Sequence, residues 1–162
     1  MSEIRIRKAD SKDFDAYFAL QKEFRELEKK LSKKEKIIGF YLKFKSSKAE
    51  EIKRFNKMLK KKDSIFLVAE ENSRVIGYLQ GYLEPFKPFK FKRGYLHDII
   101  VSKKYRKQGI ATKLHNAFLK WLKKKNIKFI SLVVDWVNKD AIKAYERWSY
   151  RNQSIRMVKE IR

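Results

Sequence analysis

Between Tyr95 and Leu122 the chain changes its hydrophobic period once, and that change limits the folds open to it. Tyr95, Leu96, Ile99, Ile100 and Val101 are apolar and three of them are β-branched, which predicts a strand. Ile110, Leu114, Ala117, Phe118 and Trp121 fall at i, i+4, i+7, i+8 and i+11, one apolar stripe, which predicts a helix. Between them runs a short cationic turn, Lys103 to Gln108, followed by Gly109. A strand that enters a helix through a basic, glycine-containing turn presents free backbone N–H groups at the positive helix end. Such an end suits phosphate. No Gly-Lys-Ser/Thr follows, so the turn is not a Walker loop, and a single glycine does not make a dinucleotide fingerprint.

The rest of the sequence fits one domain over 1–162 with a full core. Hydrophobic residues make up 43% and aromatics 14%, which argues against disorder despite 38% charged residues. With no cysteine there is no disulfide frame, thiolate zinc site or cysteine nucleophile, which fits a reducing, cytoplasmic setting. Met1 to Lys8 alternates charged and apolar residues and does not read as a signal peptide. No apolar run approaches the roughly 18 residues of a membrane span. Lys and Arg number 42 against 19 acids, a net charge of +23. That charge attracts polyanions, whether nucleic acid, acidic proteins or phosphate-bearing small molecules. Most of it falls on helix faces, where Lys is a good solvated helix former. No zinc finger or other named nucleic-acid motif occurs, so nucleic acid is not the favoured partner.

In chain order, Glu3 to Lys8 alternates as a first strand, and Asp10 or Ser11 can cap the helix that follows. Its stripe is Phe14, Tyr17, Phe18, Phe24, Leu27 and Leu31. Lys29 to Lys36 reads as a helix end and loop, and Ile37 to Phe44 as a helical turn or a lid. Ser47 and Glu50 form a capping-box signature before a helix reaching about Lys61. Ser64–Glu70 and Val75–Leu83 form a hairpin, which Pro85 and Pro88 break. After the central strand–turn–helix, Phe129 to Asp135 reads as a buried strand. Asn138 or Lys139 opens a helix to Trp148, and Gln153 to Glu160 is a last strand. The order β-α-α-β-β-β-α-β-α-β implies an α/β fold: a mixed sheet flanked by helices.

Arg106, Gly109 and Ala111 fit Arg-x-x-Gly-x-Ala, with Lys107, Gln108 and Ile110 at the intervening positions. This resembles the acetyl-CoA pyrophosphate loop of the GNAT superfamily of N-acetyltransferases, and the element order is similar along nearly the whole chain. A second segment agrees: Asn138, Ala141, Tyr145 and Tyr150 resemble the Asn, Ala and Tyr of these enzymes. Here Trp148-Ser149-Tyr150 replaces the usual Gly-Phe ending. A left-handed cap at Ser149 costs on the order of 1 kcal/mol, so the helix is free to end differently.

The resemblance implies an acetyl-CoA-dependent enzyme with no metal. The loop from Lys107 to Thr112 would hold the pyrophosphate, Ile99, Ile100 and Val101 would pair with the pantetheine arm, and Asn138 could meet the cofactor. The arm would slot between this strand and Phe129–Asp135. Tyr145 would return a proton to the leaving thiolate; its bland role is a core stripe with Ala141 and Trp148. The base is open. His97-Asp98 stands where many relatives carry adjacent acids, and strand alternation allows at most one of the two to face the amine. His97 titrates near neutrality and Asp98 could bind a cationic substrate, or both are ordinary polar residues. His115 is expected on the surface. Lys33–Lys45 and Glu84–Arg93, rich in Phe and Lys, would border the acceptor, an acidic peptide or nucleic acid among the partners they suit. The acceptor reads as a protein N-terminus or lysine slightly ahead of a small amine, since +23 repels a polyamine. The rivals are a GNAT-like module that binds nucleic acid or protein with weak or no catalysis, and a structural homodimer.

Overall fold

A computed structural model describes residues 3–32, 46–87, 89–155 and 157. Within them β1 spans Arg5–Lys8, α1 Phe14–Ser32, α2 Lys48–Lys60, β2 Ser64–Glu71, β3 Arg74–Phe86, β4 Phe91–Val101, α3 Ile110–Lys124, β5 Ile130–Ser131 and α4 Lys139–Arg147. One five-stranded sheet has the order β1-β2-β3-β4-β5; the first four strands are antiparallel and β5 runs parallel to β4. The described residues within Met1–Phe24 and Ser46–Leu132 form one compact unit, and those within Arg25–Lys45 and Val133–Arg162 a second. The sheet, α2, α3 and most of α1 belong to the first.

Both expected helix starts are built. Asp10 caps a short 3-10 turn before α1, its side chain accepting from the Lys12 amide while Asp13 accepts from the Asp10 amide. Ser47 and Glu50 make the reciprocal pair at α2. The stripe of α1 and the inner face of α2 meet one face of the sheet. Tyr17, Leu20, Phe55, Phe66, Val68, Tyr78 and Ile100 are its buried cluster. Ring centroids of Tyr17, Phe55, Phe66 and Tyr78 lie 4.9–5.6 Å apart in tilted and edge-on pairs. Such pairs contribute about 0.5–1.5 kcal/mol each beyond burial. On the other side α3 buries Ile110, Leu114, Phe118 and Leu122. Gly81 lets it approach, since a Cβ there would lie 2.5 Å from the Phe118 ring.

Three expectations are corrected. β3 runs through Pro85 to Phe86 without breaking there. β2 pairing stops at Ser64–Tyr82, so among the described residues β3 has a single strand neighbour at Pro85 and a missing amide costs the ladder little. Phe129 to Asp135 is not a buried strand: only Ile130–Ser131 pairs, and Phe129 and Val133 are exposed. The expected last strand, Gln153 to Glu160, is absent from its described residues, which are irregular. Ile37–Phe44 lies outside the described residues, as does Pro88.

Candidate active site

The turn after β4 is held from below. Glu23 of α1 accepts from Ser102 Oγ at 3.1 Å and from the Lys103 amide, and lies 3.6 Å from Arg106. Arg106 Nε donates to the Val101 carbonyl at 3.0 Å, so this arginine braces the turn. Lys107 and Gly109 take positive φ values of 62° and 76°. Gly109 is the N-cap of α3, no side chain caps it, and the first turn holds no acid. The first intrahelical bond is Lys113 N–H to Gly109 O, 3.0 Å. The amides of Ile110, Ala111 and Thr112 therefore have no intrahelical acceptor. A Cβ on Gly109 would meet no atom within 4 Å. An uncapped, acid-free helix end beside open space suits a diphosphate.

Upstream, β4 and β5 pair only at Gly94–Ile130 and Tyr95–Ser131. Beyond Tyr95, β4 keeps β3 on one edge, and its other edge has no strand partner among the described residues, including Ile99, Ile100 and Val101. Where the pairing stops, buried Ser131 Oγ has no hydrogen-bond partner among the described residues. An open strand edge is the partner that an amide-bearing arm such as pantetheine requires.

His97 and Asp98 overturn the alternation argument. Gln80 pairs with Asp98 and Gly81 with Leu96, which leaves His97 as the extra residue of a β-bulge. A bulge breaks the period of two, so both side chains turn to the α1/α2 face. His97 lies near Tyr82 and Tyr95 in tilted and edge-on geometry, at 6.0 and 6.4 Å between ring centres, while Asp98 reaches Gln21 of α1. His97 Nδ1 lies 3.2 Å from Asp98 Oδ2, and the imidazole is about half exposed, at 48%. The hydrogen bond to Asp98 raises the His97 pKa above its ordinary 6.5, against burial and the cations Lys61 and Arg54. Lys61 Nζ sits 4.0 Å over the Tyr82 ring. Gln21 Nε2 lies 3.4 Å from Asp98 Oδ2 and also donates to the hydroxyl of buried Tyr78.

Gln21, Tyr78 and Glu23 escaped the sequence reading. One signal was available: Gln21 is a polar residue four positions after Tyr17 and three before Phe24, inside the apolar stripe of α1. His115 is corrected: it is buried, 3% exposed, and burial lowers its pKa to about 4. It joins Ile110, Leu114, Phe118 and Leu122 among the buried residues of α3, whose buried arc is wider than a strict heptad seam.

Asn138 and Tyr145 belong to the second unit. Asn138 caps α4, its Oδ1 accepting from the Ala141 amide at 3.2 Å. The Tyr145 ring packs on Trp148 and Tyr150, with centroids 5.9 and 5.7 Å away. Ser149 adopts φ 66° and its amide bonds Glu146 O, while Tyr150 N–H bonds Tyr145 O. The helix thus ends in the left-handed cap after all, with serine bearing the strain. Among the described residues no group of three His, Cys, Asp or Glu could hold a metal ion, and no helix is long and apolar enough to cross a membrane.

The chain belongs to the acetyltransferase (GNAT) family, whose model matches residues 17–150. An uncharacterized N-acetyltransferase of Methanocaldococcus jannaschii is 27% identical over 165 residues, covering 96% of this chain and 66% of that protein. An N-alpha-acetyltransferase of Sulfurisphaera tokodaii is 30% identical over 108 residues, covering 62% of this chain and 65% of that protein. The matches thus span just under two thirds of both relatives. Among solved structures, an aminoglycoside N-acetyltransferase in complex with CoA superposes with a TM-score of 0.72 at 14% identity, over 100% of this chain and 97% of that one.

Proposed function

We propose that this chain moves the acetyl group of acetyl-CoA directly to a primary amine, with a protein α-amine as the favoured acceptor. The observation that carries the reading is the His97–Asp98 pair at the β4 bulge, on the strand that leads into an uncapped helix end. Acetyl-CoA supplies an activated acyl group as a thioester. The amides of Ile110, Ala111 and Thr112, with Lys107, Gln108 and Gly109 around them, would hold its diphosphate. Arg106 keeps the turn in shape, and Asn138 lies in the segment that the family resemblance assigns to the cofactor. The open edge of β4 at Ile99, Ile100 and Val101 would hydrogen-bond the pantetheine arm, and a backbone N–H there would draw charge from the acyl carbonyl.

An amine attacks only when neutral. With Nδ1–H directed to Asp98, His97 Nε2 is left to take the amine proton, directly or through water. Asp98 then stabilises the imidazolium that forms. Tyr145 is assigned the opposite task, protonating the departing thiolate. A protein α-amine is favoured by the name of the Sulfurisphaera tokodaii relative, and the net charge of +23 disfavours a polyamine. Lysine side chains and small amines are the next acceptors in order.

The test is an acetyl-transfer screen over peptides with free α-amines, lysine peptides and small amines, run beside Tyr145→Phe. Transfer to α-amines is expected, with kcat lower by about 10²-fold in the variant. An unaltered rate removes Tyr145 from the chemistry. Bound acetyl-CoA with no transfer to any amine overturns the reading.

A further inference from the structure

The tip of the β3–β4 hairpin carries rings that the core does not cover. Phe86, Phe89 and Phe91 form a triangle with centroid separations of 5.3, 5.3 and 5.7 Å. Phe129, just before β5, joins at 5.6 Å from Phe91. Phe89 is 56% exposed, Phe91 41% and Phe129 61%. A lone exposed Phe is ordinary, but three rings in mutual contact, with a fourth against Phe91, form a patch that calls for a partner.

The rim of the patch is cationic. Arg93 lies 4.3 Å over the Phe86 ring and is paired with Glu84 at 2.7 Å, and Lys92 is paired with Asp63 at 2.9 Å. Lys87, Lys90 and Lys128 are exposed, next in sequence to the rings, and neither acid engages them. A second copy is a poor occupant, because two chains of +23 repel. A lipid surface is also disfavoured: the patch holds Phe alone, without the Trp and Tyr that anchor interfaces. An acidic peptide would satisfy the lysines and leave the rings wet. Single-stranded nucleic acid answers both features, since bases stack on rings while phosphates meet lysines.

We propose that the hairpin tip with Phe129 is a binding site for single-stranded nucleic acid, bases lying on Phe89, Phe91 and Phe129 and phosphates reaching Lys87, Lys90 and Lys128. The proposal stands on the rings and lysines of the hairpin tip and does not depend on the acetyl-transfer reading.

Fluorescence anisotropy with a labelled uridine oligonucleotide of roughly 12 residues tests it, within the range of single-strand site sizes. The full chain is compared with Phe89→Ala/Phe91→Ala and with Lys87→Ala/Lys90→Ala/Lys128→Ala. The aromatic variant, whose altered residues lie outside the core, is expected to bind at least about 10-fold more weakly. The lysine variant is expected to flatten the slope of log affinity against log salt by about 2, at roughly 0.7 per lost phosphate contact. Equal binding by wild type and aromatic variant overturns the proposal, leaving only diffuse charge. So does tighter binding of polyglutamate or phosphatidylserine vesicles that the aromatic variant loses. A wild-type dimer that the aromatic variant dissolves, seen by light scattering, also overturns it in favour of a second copy.

Discussion

In the proposed reaction His97 can act as a base only after losing its proton. Its hydrogen bond to Asp98 raises its pKa above 6.5, so the working form grows in as pH rises through that higher value. In the proposed reaction kcat/KM therefore climbs along an acid limb whose apparent pKa exceeds 6.5. Asp98→Asn removes the carboxylate and should move the limb to lower pH, which pH-rate profiles of the two proteins measure. An unmoved limb would assign the proton to another group. His115 gives the opposite sign in stability. Its pKa in the fold is about 4, below the unfolded 6.5, so the unfolded chain takes up the proton first as pH falls between those values. The fold should lose up to about 3 kcal/mol over that window and nothing above it. Urea unfolding at pH 7 and pH 5 measures the slope, and His115→Gln should flatten it.

At the scale of elements, the proposed cofactor site rests on the strand–turn–helix centre. Gly109 holds a left-handed φ beside open space. Gly109→Ala should cost on the order of 1 kcal/mol of stability and weaken acetyl-CoA binding by more than that strain alone predicts, because the new methyl would occupy the space where the diphosphate is proposed to lie. Calorimetric titration against thermal unfolding separates the two effects. The sequence made this centre legible: a β-branched run, a basic turn and a period of 3.6 each have a local cause. The capping residues were legible for the same reason. The bulge at His97 was not, because it arises from the register between Gln80–Gly81 and Leu96–Asp98, a property of two strands together. Pro85 was misjudged likewise, since its tolerance depends on where β2 stops. Gln21 and Glu23 are long-range partners of β4 and of the turn that follows it, and only the fold brings α1 to them.

For the whole molecule, charge and fold impose different selections. A net charge of +23 draws phosphates without choosing a place, while the open edge of β4 and the uncapped start of α3 set where one phosphate ligand would be held in the proposed reading. In the proposed complex the first amides of α3 clasp the diphosphate of acetyl-CoA. Amide chemical shifts recorded during titration of the labelled protein with acetyl-CoA test it most directly. The largest saturable shifts should fall on Gly109, Ile110, Ala111 and Thr112, followed by Ile99 to Val101. Saturation with those amides unmoved, or no saturation at all, would contradict it.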